Sequence, residues 1–263
     1  MTKVVICILS ILLFLAIVYI ILFHLHYFLF LSHDYYKLIP CEKIKINDED
    51  EYFPKILVQT ISDKSKIPEK VFENIKKYAS DFKHVIFDDE DCINFIKEHY
   101  PEEVLEAFNR LSIGAHKADL FRYCYLYING GLYADIKTEF LKPVSSVFHT
   151  NKLTVVLGSE YIHFNTIYNG IIYSKPRHPI FLELISHIVH VSKQSNFNYL
   201  VFCNHFYKII NRYHDGDYYK FYEKCSSSDS SKCHDGFDRY KLCCNIYDGD
   251  EIVIKGRYSD YPW

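Results

Sequence analysis

From Val4 to Leu31 no Asp, Glu, Lys or Arg interrupts the apolar residues; beyond that point the apolar clusters are shorter and set among charges. The first run exceeds the roughly 20 apolar residues that cross a bilayer as a helix, which predicts a transmembrane anchor over 1–31. A cleaved signal peptide is the alternative, but its apolar region is usually about 7–15 residues long and ends on small residues. Neither feature is present. His33 to Tyr52 is polar and contains the acidic run Asn47-Asp48-Glu49-Asp50-Glu51, the pattern of a solvated stem over 32–52. A single folded domain over 53–263 is expected to follow.

Within that domain the hydrophobic period alternates between strand and helix. Lys55 to Gln59 is a short apolar strand after Pro54. Pro68 then opens a helix with Val71, Phe72, Ile75 and Tyr78 on one face. His84 to Phe87 reads as the next strand, and Asp88 to Asp91 cap a helix reaching about Tyr100. A further helix starts at Pro101, carries Val104, Leu105, Phe108 and Leu111, and breaks at Ser112 to Gly114. Leu120, Phe121, Cys124 and Ile128 recur at helical spacing in the helix that follows. Asn129-Gly130-Gly131 supplies the positive-φ residues of a helix end and tight turn, and Leu132 to Ile136 is predicted as a buried strand. Leu153 to Leu157 is another strand candidate, and Pro179 begins an amphipathic helix to about Val191. This β-α-β-α order implies an α/β fold with a mostly parallel sheet covered by helices.

Composition narrows the reading only in places. The chain has 263 residues, a formal net charge of -3 and scattered basic residues, so it lacks the electrostatic footprint of a nucleic-acid binder. His24 and His26 fall near the far end of the expected span. Lys3 before that span and Lys37, Lys43 and Lys45 after it favour a cytoplasmic domain on the positive-inside count. Nine cysteines favour an oxidising compartment, and the sequence has no Asn-x-Ser/Thr acceptor. Cys225, Cys233, Cys243 and Cys244 lack zinc-ligand spacing and read as disulfide formers.

The chemistry centres on Ala118-Asp119-Leu120-Phe121-Arg122 and on Asn129-Gly130-Gly131-Leu132-Tyr133-Ala134-Asp135-Ile136-Lys137. Asp119 and Arg122 share a helical face at i, i+3, which fits an ordinary surface ion pair or a binding pair. Asp135 stands at the carboxyl end of a buried strand, where open α/β sheets bind ligands. Strand periodicity puts Asp135, Lys137 and Glu139 on one face if the strand runs that far.

These residues, in this order, resemble the DXD-containing sugar transferases typified by yeast-type α-mannosyltransferases and glycosyltransferase family 32. Phe53 to Thr60 is similar to the family's opening segment, and Tyr168-Asn169-Gly170 through Pro176 to a later block. The resemblance implies a GT-A type nucleotide-binding sandwich and a retaining, membrane-anchored hexosyltransferase. Its donor is a nucleotide sugar and its acceptor a glycan, protein or lipid. It also implies a type II anchor with the domain in the Golgi or ER lumen. Asp119, Arg122, Gln59, Thr60, Tyr133 and Asp135 become donor-binding candidates, Asp135 and Lys137 catalytic candidates, and Asp135 the ligand of a divalent cation, Mn²⁺ or Mg²⁺. Asn169 and Gly170 are candidates for shaping the acceptor side, and the terminal Tyr258 to Trp263 is similar to a segment that closes over the nucleotide.

Lys137 replaces the second Asp of the motif. Three readings stay open: its ammonium neutralises the diphosphate itself, or Asp135 keeps a metal with water and phosphate, or the domain only binds glycans or partners. No catalytic base is identified.

Overall fold

The computed structural model describes residues 14, 17–22, 52–159, 163–214, 216–226 and 243–259. It divides into two compact units, Met1–Ile39 and Pro40–Trp263. In the first, residues 17–22 are helical. Most of the expected span at 4–31 lies outside the described residues, and among those residues no helix is long and apolar enough to cross a membrane.

The second unit begins with β1 (Ile56–Thr60), α1 (Glu69–Tyr78), β2 (Lys83–Phe87), α2 (Asp89–His99) and α3 (Glu102–Arg110). Next come α4 (Gly114–Asn129), β3 (Gly131–Ala134), β4 (Glu139–Phe140), the single turn α5 (Val144–Val147), β5 (Leu153–Leu157) and β6 (Ile171–Ser174). The chain ends with α6 (Ile180–Val191), α7 (Val201–Ile210), β7 (Tyr218–Ser226), β8 (Cys243–Asp248) and β9 (Glu251–Lys255). The Asp88 carboxylate accepts from Asp91 N and the Asp91 side chain answers to Asp88 N, so the acidic run caps α2 reciprocally.

The nine strands among the described residues form one sheet in the order β2-β1-β3-β6-β5-β7-β8-β9-β4. It is mixed, which corrects the mostly parallel expectation: only β1 with β2, β1 with β3 and β5 with β7 run parallel. The helical segments before β3 carry the chain back to start parallel strands. Between β5 and β6 no helix intervenes among the described residues, and the Asn169-Gly170 turn sends β6 antiparallel to both β3 and β5. The hairpin from β8 to β9 turns through Gly249 and Asp250, with Gly249 at φ 59°.

The Asn-Gly-Gly expectation is met at both glycines. Gly130 takes φ 63° and Gly131 φ 96°, and a Cβ on Gly131 would lie 2.7 Å from the Ile56 carbonyl oxygen. Only glycine lets the chain leave α4 and fall directly into register beside β1. The β3 strand ends at Ala134, short of the predicted Ile136, because Thr138 N closes a turn on the Asp135 carbonyl at 2.9 Å. Glu139 instead opens β4 at the sheet edge, where it pairs with Lys255 at 2.9 Å. Asp135, Lys137 and Glu139 therefore do not share a strand face.

Cys225 and Cys244 are register partners on β7 and β8 and form a disulfide. The cysteine at 233 and the terminal residues 260–263 lie outside the described residues. Helix α4 carries buried residues on every side, from His116 to Tyr127, and lies against α6 and β3. That position fixes polar side chains deep in the fold.

Candidate active site

Asp119 and Arg122, one turn apart on α4, are both buried, with their side chains 3.3 Å apart. This excludes the surface ion pair. Arg122 Nε donates to the Ala118 carbonyl at 3.0 Å, and its guanidinium lies 4.2 Å from the centre of the Tyr133 ring. Its other end reaches Asp135 at 3.5 Å. Burial works against this charge, but Tyr133, Asp119 and Asp135 outweigh it and hold the guanidinium above its ordinary pKa.

Asp135 follows β3 directly and is fixed from several directions. Its amide donates to the Gly170 carbonyl at 2.8 Å, and the Asp135 carbonyl accepts from Gln59 Nε2 at 3.2 Å. Tyr133 OH donates to Oδ1 at 3.2 Å and Tyr168 OH to Oδ2 at 3.4 Å. Because Tyr133 gives its proton to Asp135, the Thr60 hydroxyl 2.9 Å away donates to the phenol oxygen. Lys137 Nζ stands 3.7 Å from Oδ2.

The two carboxylates are driven in opposite directions. Burial raises the Asp119 pKa, only partly offset by Arg122 and by Asn169, which donates to it at 3.0 Å. Burial pushes Asp135 the same way, but Arg122 and then Lys137 outweigh it and hold the carboxyl below its ordinary value. Asp135 is thus an ionised acceptor across the neutral pH range.

Two cavities meet at this point. The larger, about 440 Å³, is walled by Thr60, Lys66, Asp89, Lys117 and Tyr133 among others, and the smaller, about 240 Å³, by His116, Asp119, His163, Tyr168, Asn169, Gly170 and Tyr199. Arg122, Asp135 and Lys137 line both. Thr60, Tyr133, Asp119, Arg122, Asp135, Lys137, Asn169 and Gly170, the candidates drawn from the family resemblance, are therefore brought together. Gln59 is not: it is fully buried, and its amide is taken up by the Asp135 carbonyl and by His84 Nε2 at 2.9 Å. It supports the Asp135 backbone and faces neither cavity. The backbone of Tyr258 donates to the Lys137 carbonyl at 3.0 Å, so the terminal segment starts from the site.

Sequence reasoning overlooked Tyr168, which stands in the quoted Tyr168-Asn169-Gly170 block, and the pair His163–Glu223. Glu223 is buried on β7 and accepts from Ser159 N at 3.1 Å and meets His163 Nδ1 at 2.8 Å. A signal existed: Phe221 and Glu223 share strand parity, which places a carboxylate on a core-facing row. Asn169 Oδ1 and His116 Nδ1 are buried without a hydrogen-bond partner among the described residues, both in residues of the smaller cavity.

Residues 67–154 match the family described as a glycosyltransferase sugar-binding region containing a DXD motif. Over 112 residues the chain is 32% identical to an uncharacterized glycosyltransferase, L373, of Acanthamoeba polyphaga mimivirus, covering 43% of this chain and 44% of that one. It is 28% identical over 172 residues to the initiation-specific alpha-1,6-mannosyltransferase of Candida albicans, covering 55% and 45%. It therefore spans less than half the length of either relative. A solved structure, PaToxG Glycosyltransferase, is similar with a TM-score of 0.46 and 15% identity, over 69% of this chain and 74% of that chain.

Proposed function

We propose, on the premise that this chain carries the sugar-binding region of the DXD-type glycosyltransferases, that it transfers a hexose from a nucleoside-diphosphate sugar to a glycan, protein or lipid acceptor. The observation that carries the reading is the placing of Arg122 and Asp135 on the wall shared by two cavities. A donor laid across that wall puts its nucleotide and diphosphate in the larger cavity and its sugar in the smaller. Arg122 faces the phosphates as a fixed cation, and Asp119 and Asp135 accept from sugar and ribose hydroxyls. The orphaned Asn169 Oδ1 is a further acceptor for a sugar hydroxyl, since a buried polar atom without a partner costs free energy until one arrives. The mannosyltransferase relative favours mannose as the sugar.

Transfer breaks the bond between the anomeric carbon and the diphosphate oxygen, whose electron pair leaves with the nucleoside diphosphate. The acceptor hydroxyl oxygen bonds to that carbon on the same face, and its proton passes to the departing phosphate oxygen. No enzymic nucleophile is needed, and retention results. The domain reads as GT-A type, held at a membrane by residues 4–31 and facing the lumen of the Golgi or ER, where the Cys225–Cys244 disulfide is stable.

The test is turnover of a panel of nucleotide sugars by the full-length protein in detergent, with simple glycosides as acceptors. One donor is expected to be used, and Asp135→Asn to lower its turnover about 100-fold or more while leaving the melting temperature near that of the parent. Nucleotide binding with no turnover of any donor and acceptor would instead make the domain a binding module.

A further inference from the structure

We infer that Lys137 supplies the positive charge on the departing diphosphate and that transfer proceeds without a divalent cation; this rests on the nucleotide-sugar reading above. A metal bridging protein and diphosphate needs oxygen ligands, and Mg²⁺ takes them in near-octahedral array. The donor set here does not fit one. Asp135 is the carboxylate that lines both cavities, Asp89 in the larger one being paired with Lys117 at 3.7 Å. Each Asp135 oxygen already faces a phenol and a cation: Tyr133 at 3.2 Å and Arg122 at 3.5 Å on Oδ1, Tyr168 at 3.4 Å and Lys137 at 3.7 Å on Oδ2. A doubly charged ion placed there would be repelled by both cations at short range. Asp119 is committed to Arg122 and Asn169, and Glu139 is held by Lys255 at the sheet edge. Among the described residues, the one cluster of three ligand-type side chains is Glu223 with the disulfide-bonded Cys225 and Cys244, and it excludes Asp135.

What the site has instead is built-in charge. The larger cavity is lined by Lys66, Lys117, Arg122 and Lys137 against Asp89 and Asp135, a surplus of positive groups suited to a diphosphate. Each of the three lysines has an acidic neighbour, Lys66 with Asp63 at 3.6 Å, Lys117 with Asp89 at 3.7 Å and Lys137 with Asp135 at 3.7 Å, so position and not pairing separates them. Lys137 is the one lysine of the three that lines both cavities, so it stands where the sugar-phosphate bond crosses from one to the other. Its side chain is 32% exposed and can swing from Asp135 to a phosphate oxygen. Its backbone, meanwhile, is held by the Tyr258 amide at 3.0 Å. As the anomeric bond breaks, the electron pair settles on the diphosphate oxygen beside this ammonium. Lys137 acts as a point charge.

The experiment is equilibrium binding of UDP and GDP to the full-length protein, in chelator and in Mn²⁺, with donor turnover measured in parallel. The parent is expected to bind one nucleotide about equally in both media and to turn over in chelator. Lys137→Met is expected to weaken binding about tenfold and slow turnover about 100-fold in both media. Lys137→Asp, which restores the Asp-x-Asp spacing, is expected to be weak in chelator and to regain binding of about tenfold or more with Mn²⁺. Parent binding and turnover only with Mn²⁺ would overturn the inference and leave the glycosyltransferase reading standing, as would a Lys137→Met variant that melts and behaves like the parent. Binding of neither nucleotide in either medium would overturn both.

Discussion

Arg122 holds the site together at the scale of single residues. One guanidinium satisfies the Ala118 carbonyl, meets Asp119 and Asp135 at 3.3 and 3.5 Å, and stands 4.2 Å from the centre of the Tyr133 ring. A lysine keeps the charge but has no planar fork to divide among these partners. Arg122→Lys is therefore expected to lose about 100-fold in donor turnover, with the loss in kcat/KM measured against the melting temperature to separate a misplaced charge from a damaged core. The i, i+3 spacing of Asp119 and Arg122 was legible in the sequence, but their burial was not, since the same spacing occurs on solvated helices. Gln59 shows the converse. Its place at a strand end suggested a ligand contact, and the fold turned it inward onto a backbone carbonyl 76 positions away.

At the scale of elements, the junction from α4 to β3 decides where Asp135 stands. Gly131 lies so close to β1 that an added methyl would collide with the Ile56 carbonyl oxygen at 2.7 Å, whereas a methyl on Gly216, also at positive φ, would meet nothing within 4 Å. Gly131→Ala is thus expected to cost more than Gly216→Ala, about 2–4 kcal/mol against about 1–2 kcal/mol, read from urea unfolding. The Gly-Gly turn was predictable because positive φ is a local demand. The length of β3 was not, because the turn closed by Thr138 on Asp135 competes with strand pairing.

Across the whole molecule, burial sets the response to acid. His178, His187 and His205 are pulled by burial from the ordinary imidazole value of 6.5 down to about 4, about 3 and about 4, and the rings of His187 and His205 stack at 3.6 Å. The unfolded chain therefore binds more protons than the native one between these values and 6.5, and stability rises with pH across that window. Unfolding free energy is expected to be flat in this respect above about pH 7 and to fall as pH drops from about 6.5 to about 4. The His187→Phe/His205→Phe double variant should show a shallower fall in denaturant titrations at stepped pH; an unchanged slope would assign the acid sensitivity to other groups.

The sequence by itself determined what depends on neighbours along the chain. These are the helix starts at Pro68, Pro101 and Pro179, the reciprocal cap at Asp88 and Asp91, the glycine turn, and the ordered set Asp119, Arg122 and Asp135. Tertiary structure alone decided that the sheet is mixed and that Lys137 faces two cavities through a turn. It also decided that Glu139 leaves for the sheet edge and that Glu223 comes 60 positions back to meet His163. The division has a physical basis: backbone conformation and capping are fixed within a few residues, whereas strand pairing and burial depend on which distant segments leave the least apolar surface in water and the fewest polar groups unpaired.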